Sequence, residues 1–313
     1  MTSTDGNAAA TSAEFGARPR DDQLDLFGIT HTGKVRTENQ DHFLVATVHP
    51  ELLVHETSLP AASALSVHGT RLATVMLVAD GVGGGSGGRE ASQLAIETIT
   101  RYVSSTLRCY HAAVSSQQEE FVAALRSAAL EAHSAVRAEA AVRPDARHMA
   151  TTLTLFIAVW PWAYVVQVGD SRCYHYSGGT LHQMTRDQTI AQDLVDQGVL
   201  PAERASKSPF SHVLASAIGA DAAQPEVSRV KMDGRGAFLL CSDGLTKHVT
   251  DDEIAAELAV LQSSEQSCHR LLDLALGRGG SDNITVLIAR ATNVNQAGSD
   301  TRTTQQRSAD AGR

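Results

Sequence analysis

Residues 151–172, TTLTLFIAVWPWAYVVQVGDSR, contain the longest apolar stretch of the chain, which runs from Leu153 to Val168. The stretch is shorter than the roughly 20 residues that a membrane-spanning helix requires. Trp160-Pro161-Trp162 also interrupts it, and proline is common in turns but excluded from the middle of a sheet. The segment therefore predicts two buried strands joined by a turn, in a soluble protein with no membrane association.

Shorter apolar runs of the same kind recur along the chain. Runs of this length and composition are typical of strands. The predicted strands are Leu24–Thr30, Phe43–Thr47, Leu72–Ala79, Thr151–Val159, Ala163–Val168, Cys173–Tyr176, Ala237–Cys241 and Ile284–Ala289. Ser177-Gly178-Gly179 predicts a hairpin turn after the sixth of them.

Helical periodicity marks two long segments, which begin at Glu90 and Glu119 and carry apolar residues on one face. Thr250 and Glu253 form a capping-box pattern that predicts a third helix, and Gly277 is expected to end a fourth. The two long helices separate a β-rich first part from a run of hairpin-linked strands. This order predicts an α+β fold with helices packed on antiparallel sheets, rather than a parallel βαβ array.

Composition limits the organisation of the chain. Residues 1–22 and 293–313 contain little to bury, so we expect disordered tails around a single domain at 23–292. The net charge of −9 argues against a nucleic-acid surface. Four separate cysteines without a C-x-x-C pair, and an N-terminus without a signal-peptide pattern, predict reduced thiols in a cytoplasmic protein.

Four aspartates lie at the ends of predicted buried strands. Asp41 precedes one strand, Asp80 and Asp243 follow others, and Asp282 precedes the last. Ionised carboxylates placed there repel one another and lose hydration, which hard cations would offset. All-oxygen ligands favour magnesium or manganese over zinc. An Asp-Gly pair alone is also typical of a plain turn, but the four together favour a metal centre.

Six ordered motifs resemble those of the PPM family, the metal-dependent type 2C protein phosphatases, in its bacterial form. They are GKVRTENQD (33–41), VADGVGG (78–84), MATT (149–152), VGDSR (168–172), LLCSDGLT (239–246) and GGSDNITV (279–286). The resemblance covers about residues 22–292. It implies an α-β-β-α four-layer sandwich of two antiparallel sheets flanked by helices, and a protein serine/threonine phosphatase activity.

The resemblance also implies a set of metal ligands. Asp80 would bridge two Mn²⁺ or Mg²⁺ ions, with the Gly81 carbonyl as a further ligand. Asp243 and Asp282 would bind one of the two ions. Asp41 would hold its position by direct or water-mediated contact.

The same resemblance assigns the phosphate and the reaction. Arg36 matches the arginine that grips the substrate phosphate, and its fork of donors suits a phosphoryl group. A hydroxide bridging the two metals would attack phosphorus directly, with no phosphoenzyme. Val82 stands where some eukaryotic relatives carry a histidine proposed as general acid, so the proton donor is unassigned. Phosphorylated proteins are the expected substrates, and a cognate serine/threonine kinase is an expected partner.

Several positions depart from the family pattern. Gln40 replaces a usual glutamate, and with Asn283 it is expected to hydrogen-bond around the metals. Asp170 matches a ligand of a third, weaker metal, but Lys247 stands four residues after Asp243 where many relatives supply its acidic partner. The lysine would oppose a third metal or replace its charge by pairing with Asp170. Ala150 and Gln188 replace a glycine and a histidine and predict changes in local packing or in the residues that surround the metal ligands.

Other interpretations stay open or are set aside. Gly83, Gly85 and Gly88 match a dinucleotide fingerprint, but no second strand closes a βαβ unit, so we do not expect a nucleotide fold. Residues 189–210 correspond to a variable flap, either a mobile surface loop or a substrate-selecting segment. A metal-free interaction module and a hydrolase of small phosphoesters are the competing functions. Retention of Arg36 and the four aspartates argues against the first.

Overall fold

The computed structural model describes residues 17–52, 67–83, 87–110, 118–143, 149–205 and 207–292. Most of the predicted tails therefore lies outside the described residues, as do Gly85 and the side chain of Cys109. The buried Arg71 donates hydrogen bonds to the Asp21 carboxylate and to the Pro19 carbonyl. This part of the predicted N-terminal tail thus packs against the domain.

Thirteen strands, seven α-helices and one short 3-10 helix, at Asp21–Gln23, lie in the described part of the chain. The strands are β1 Leu24–His31, β2 Asp41–Val48, β3 Glu51–Leu52, β4 Val67–His68, β5 Ala73–Val82, β6 Ala150–Thr151, β7 Leu153–Val159, β8 Trp162–Val168, β9 Arg172–Ser177, β10 Thr180–Gln183, β11 Glu226–Lys231, β12 Ala237–Cys241 and β13 Ile284–Ala291. The helices are α1 Gly87–Tyr110, α2 Gln118–Val142, α3 Ile190–Asp196, α4 Ala202–Ala205, α5 Asp243–Thr246, α6 Asp251–Ala259 and α7 Ser264–Gly277.

The strands form two main antiparallel sheets. One has the order β1-β13-β12-β9-β10, and the other has the order β11-β8-β7-β5-β2, with β6 paired to β5. Every pairing in these sheets is antiparallel. The predicted α+β class and the rejection of a parallel nucleotide-binding sheet are therefore confirmed.

Three apolar cores give the four layers. Met76 and Phe156 from one sheet pack with Leu240 and Leu287 from the other, between the sheets. The opposite faces of β5 and β7 pack against α1 and α2. The outer faces of β12 and β13 pack against α6 and α7. Central strands buried on both faces read as continuous apolar runs, which is why they were readily predicted.

The predicted elements are found with small shifts in their ends. Thr250 and Glu253 form the capping box of α6, and α7 ends at Gly277. The strand predicted at 151–159 is interrupted at Thr152, whose backbone N–H donates to the Asp80 carbonyl. Strand β11 was not predicted, because it lies at a sheet edge and carries polar side chains.

No helix in the described part of the chain combines the length and the apolar character needed to cross a membrane. Cys173, Cys241 and Cys268 are buried free thiols, as expected for reduced cysteines.

Candidate metal centre

Antiparallel pairing brings the first two aspartates together. Asp41 is the first residue of β2 and lies directly opposite Asp80 of β5. Directly opposed residues of neighbouring strands present their side chains on the same face, about 5 Å apart. Two carboxylates of a single sheet therefore face the second sheet at one end of the sandwich.

Asp41 is buried and tied to that second sheet. Its Oδ2 atom accepts hydrogen bonds of 2.7 Å from Ser242 Oγ and of 2.7 Å from Thr285 Oγ1. Its Oδ1 atom is buried and accepts no hydrogen bond from the described residues. Burial raises the pKa of Asp41 to about 6, although the two hydroxyl donors oppose the rise.

Asp80 is held by its backbone while its carboxylate faces other negative groups. Its N–H donates to Thr152 Oγ1, and its carbonyl accepts from Thr151 Oγ1 and Thr152 N. Burial raises the pKa of Asp80 well above the usual range for a carboxyl group. Four neighbouring carboxylates add to this effect: Asp41, Asp243, Asp170 and Asp282.

Gly81 continues β5 at a very close contact with the start of α1. A Cβ atom at Gly81 would lie 2.3 Å from the Gly88 carbonyl oxygen and 2.8 Å from the Gln40 carbonyl oxygen. Both distances are far below van der Waals contact, so only glycine fits at this position. The strand that carries Asp80 and the start of α1 can therefore approach each other closely beside the site.

Asp243 and Asp282 both form ion pairs with the side chain of Lys247. Lys247 Nζ lies 2.7 Å from Asp243 Oδ2 and 2.7 Å from Asp282 Oδ2. Within the described residues, its ion pairs are with these two aspartates, so the pairing with Asp170 that the sequence left open is not seen in this conformation. The Oδ1 atom of Asp243 is buried without a hydrogen bond from the described residues.

Arg36 also contacts Asp282. Its Nε atom lies 2.7 Å from Asp282 Oδ1, and its Nη2 atom donates to Oδ2 at 3.0 Å. Partial burial would raise the pKa of Asp282, but hydrogen bonds from Arg36 and Lys247 outweigh it and lower the pKa. The Arg36 side chain remains 56% exposed, so the guanidinium is within reach of a ligand.

Asn283 fastens the segment that carries Arg36. Its Nδ2 group donates to the Thr32 and Glu38 carbonyls at 2.9 Å each, and its Oδ1 atom accepts from Gln40 N at 2.8 Å. All the polar atoms of this amide are thus used within the protein. Asn283 positions the segment 32–40 rather than pointing a free ligand atom at a metal.

Asp170 follows β8 and is buried beside the other carboxylates. Burial, together with the nearby Asp243 and Asp187, raises the pKa of Asp170 to about 8, and Lys247 partly opposes the rise. The departure at Gln188 is a packing feature, as expected. Its side chain accepts from Gly169 N at 2.9 Å and donates to the Gln224 carbonyl at 2.9 Å.

The side chains line two adjoining cavities. The first, of about 190 Å³, is lined by Arg36, Gln40, Asp80, Gly81, Asp170, Asp243, Lys247 and Asp282, among others. The second, of about 370 Å³, lies between Asp170, Asp243 and the predicted flap. His212 lines both cavities, and its Nδ1 atom lies 3.9 Å from Asp243 Oδ2. No sequence pattern indicated His212, because its approach to the site depends on how residues 189–214 fold back.

The two halves of the site differ in how well they suit a metal. The buried, unpaired Oδ1 atoms of Asp41 and Asp243 and the crowded Asp80 carboxylate are oxygen donors that lack a cation. Lys247 and Arg36, however, already occupy Asp282. Consistently, within the described ranges no three His, Cys, Asp or Glu side chains are arranged to hold a metal ion in this conformation. The donor set suits hard cations, provided that Lys247 moves.

Similarity to a known family covers four of the six motifs, those between residues 78 and 246. The sequence model described as Protein phosphatase 2C matches residues 60–275, which is more than half of the chain. The chain belongs to the protein phosphatase 2C family.

Relatives of this phosphatase 2C chain include two curated bacterial enzymes. It is 34% identical over 217 residues to the serine/threonine protein phosphatase PstP of Mycobacterium tuberculosis. That alignment covers 69% of this chain but only 40% of the relative, so the chain spans less than half of PstP. It is also 30% identical to the serine/threonine phosphatase stp of Listeria welshimeri, over 72% of this chain and 87% of the relative.

A solved structure shares the fold of this phosphatase 2C chain. The catalytic domain of PstP in complex with two manganese ions matches it with a TM-score of 0.65 at 28% identity. The match covers 86% of this chain and 99% of the other. The sequence-based identification of the family and of its fold is therefore confirmed.

Proposed function

We propose that this chain is a metal-dependent protein phosphatase that hydrolyses phosphoserine and phosphothreonine on proteins. The observation that carries the proposal is the convergence of Asp80, Asp243 and Asp282 with Arg36 on one cavity of about 190 Å³. Carboxylates, a carbonyl and an arginine fork are the groups that two-metal phosphoryl transfer requires. The manganese complex of the PstP domain supports manganese as the metal.

Each residue has a proposed role. Asp80, Asp243, Asp282 and the Gly81 carbonyl would hold two Mn²⁺ or Mg²⁺ ions, and Asp41 would support Asp80 from the neighbouring strand. Divalent cations bound there would act as Lewis acids and would make a coordinated water acidic enough to ionise near neutral pH.

Arg36 would bind the substrate phosphate. Its guanidinium now forms two contacts with Asp282 and would exchange that carboxylate for two phosphoryl oxygens, which have a similar spacing. This contact would hold the phosphorus in line for attack by water and would stabilise charge on the equatorial oxygens.

Water is the proposed nucleophile, with no phosphoenzyme. Burial raises the pKa of the Cys173, Cys241 and Cys268 thiols, so these side chains are neither ionised nor accessible at neutral pH. None of the three lines the candidate cavity. A cysteine mechanism therefore has no suitable group among the described thiols.

Protein substrates are favoured over small phosphoesters by the second cavity. Thr189, Gln192 and Ala205 of the flap line a space of about 370 Å³ that opens beside Asp170 and Asp243. A phosphate monoester alone would leave this space empty, whereas residues flanking a phosphoserine would fill it. We further propose a cytoplasmic location and a cognate serine/threonine kinase that acts on the same proteins.

Phosphate release from a phosphothreonine peptide tests the proposal. The wild type is measured with Mn²⁺, with Mg²⁺ and with EDTA, beside Asp243→Asn and the matched control Asp273→Asn, which makes the same change on the exposed face of α7. We expect metal-dependent release by the wild type and the control and none by Asp243→Asn. A silent wild type that also shows no heat of metal binding would instead support a metal-free interaction module. Faster turnover of p-nitrophenyl phosphate than of peptide would favour the small-phosphoester alternative.

A further inference from the structure

Lys247 fills the position between two carboxylates that the proposed function assigns to a metal. Its Nζ atom lies at 2.7 Å from both Asp243 Oδ2 and Asp282 Oδ2, and its side chain is only 20% exposed. We propose that Lys247 is a built-in competitor for one of the two metal ions. In the metal-free protein its ammonium neutralises the Asp243–Asp282 pair, and the metal of this pair binds only when the lysine moves away. This inference rests on the proposed function and specifies how its site is loaded.

The competition follows from charge and distance. Divalent cations bind carboxylate oxygens at about 2.0–2.6 Å, so an ion on these same oxygens would lie within about 5 Å of the ammonium. Like charges at this distance in a partly buried site repel strongly. The ammonium and the metal are therefore alternative partners of the same oxygen atoms.

The local fold fixes the lysine in this position. Lys247 is the C-cap of the short helix α5, and its backbone N–H donates to the Asp243 carbonyl at 2.8 Å. The four-residue spacing places its side chain beside that of Asp243. The competitor is thus part of the segment that supplies the metal ligand, and it needs no loop movement to reach the site.

The structure also offers a place for the displaced side chain. Lys247 lines the second cavity of about 370 Å³ as well as the first, and Asp170 lines both. A lysine that leaves Asp282 can turn into this space towards the buried Asp170 carboxylate. It would then supply the positive charge that a third metal provides in relatives with an acid at this position.

An order of loading follows from the free donor atoms. Both oxygens of Asp282 are engaged, Oδ1 by Arg36 and Asn283 N, and Oδ2 by Arg36 and Lys247. The Oδ1 atoms of Asp41 and Asp243 both lack a hydrogen bond from the described residues. Asp243, however, is paired with Lys247 through Oδ2, whereas within the described residues no ion pair joins Asp41 or Asp80 to a basic side chain. The first metal is therefore expected on the Asp80 side, and the second is the weaker one.

Calorimetric titration with Mn²⁺ alone tests the competition without any activity assay. The wild type is compared with Lys247→Met and with the control Lys231→Met, which removes an exposed lysine from β11 opposite Trp162, at the far end of β8 from Asp170. We expect two classes of site in the wild type and the control. In Lys247→Met the weaker class should tighten by about tenfold or more. The melting temperature of Lys247→Met in EDTA should be lower than that of the wild type. The rise in its melting temperature on addition of Mn²⁺ should be larger than that of the wild type.

The outcomes separate this inference from the proposed function. Equal affinities and stoichiometry in wild type and a folded Lys247→Met would overturn the competition and leave the phosphatase proposal intact. Binding of Mn²⁺ to neither protein would overturn both. If Lys247→Met does not fold, Lys247→Gln is used in its place. Independently, the Nζ resonance of Lys247 in the wild type should shift on addition of Mg²⁺, and an unchanged resonance at saturating Mg²⁺ would contradict displacement.

Discussion

The Asp41–Asp80 pair and the Asp243–Asp282 pair lie in the same site but are neutralised differently. Within the described residues, no ion pair joins the first two carboxylates to a basic side chain, and burial raises the pKa of both. The second pair contacts Lys247 and Arg36, and these cations keep the pKa of Asp282 low in spite of its partial burial. One half of the site therefore lacks a cation, and the other half already has two.

The two pairs therefore differ in how they affect the stability of the metal-free protein and the binding of metal. The Asp41–Asp80 pair makes the metal-free protein less stable, because carboxylates are held close together without compensation. The Asp243–Asp282 pair destabilises the metal-free protein less, because basic side chains neutralise its negative charge. We therefore expect metal binding to stabilise the folded protein chiefly through the Asp41–Asp80 pair. Competition from Lys247 should limit metal binding chiefly at the Asp243–Asp282 pair.

Removing the Asp80 charge should have the largest effect. Asp80→Asn is expected to lower kcat/KM for a phosphothreonine peptide by about 10³-fold or more, because the carboxylate proposed to hold the metal ions is lost. The same change should raise the melting temperature of the protein in EDTA, since it relieves repulsion with Asp41. Opposite effects on activity and on metal-free stability are the signature of the first pair. Activity of Asp80→Asn within tenfold of the wild type would contradict the proposed role of Asp80.

Removing the Arg36 fork should have the next largest effect. Arg36→Ala should reduce kcat/KM by about 10²-fold, and Arg36→Lys should recover only part of the loss, because lysine cannot make two parallel contacts with a phosphoryl group. Inhibition by inorganic phosphate should weaken in parallel. If Arg36→Lys restored full activity, a simple positive charge rather than a phosphate fork would be the role of this residue.

Removing a hydrogen-bond donor to Asp41 should have a smaller effect, which we expect on metal affinity. Thr285→Val removes one of the two hydroxyl donors to Asp41 Oδ2 and keeps the shape of the side chain. Groups that orient metal-site carboxylates typically change metal affinity by 10–100-fold, and we expect about tenfold weaker Mn²⁺ binding here. The control Thr180→Val, on the exposed edge strand β10, should leave calorimetric Mn²⁺ affinity unchanged. An equal effect of both changes would exclude a specific role for Thr285.

The smallest expected effect is on the pH dependence of stability without metal. The pKa of Asp41 is about 6 and that of Asp170 about 8 in the folded protein, both above the ordinary value of an aspartate. The folded state then binds more protons than the unfolded state between pH 4 and 8, so stability falls as pH rises through this range. In EDTA the melting temperature should drop by about 5 °C or more across this range. Saturating Mn²⁺ should remove most of this slope, and a rise with pH in EDTA would contradict the account.

Much of this arrangement could be predicted from the sequence. Asp41, Asp80, Asp243 and Asp282 lie at the ends of strongly apolar segments, and a sandwich of such strands brings its ends together. The partners of Lys247 could not be predicted, because they depend on a side-chain conformation and on the loop before β13. The clamp formed by Asn283 was likewise hidden, since Thr32 and Glu38 contribute backbone carbonyls that no motif records.

The flap shows the same limit. Helix α3 ends at Asp196, and Gly198 follows at a positive φ of 71°, a conformation that glycine adopts readily. The sequence did not indicate that the pairing of Thr189 with Leu214 would bring His212 to the cavities. Polar, exposed segments carry little hydrophobic pattern, so their long-range contacts are difficult to predict from the sequence.

Anomalous diffraction from crystals soaked in Mn²⁺ shows whether Asp80 holds metal, as proposed. We expect manganese peaks in contact with Asp80, one of them shared with Asp243 and Asp282, with the Lys247 ammonium displaced from between these two. We also expect the peak beside Asp80 to persist at Mn²⁺ concentrations where the shared peak is lost. A map of saturated crystals without manganese at Asp80 would show that these carboxylates are not a metal centre.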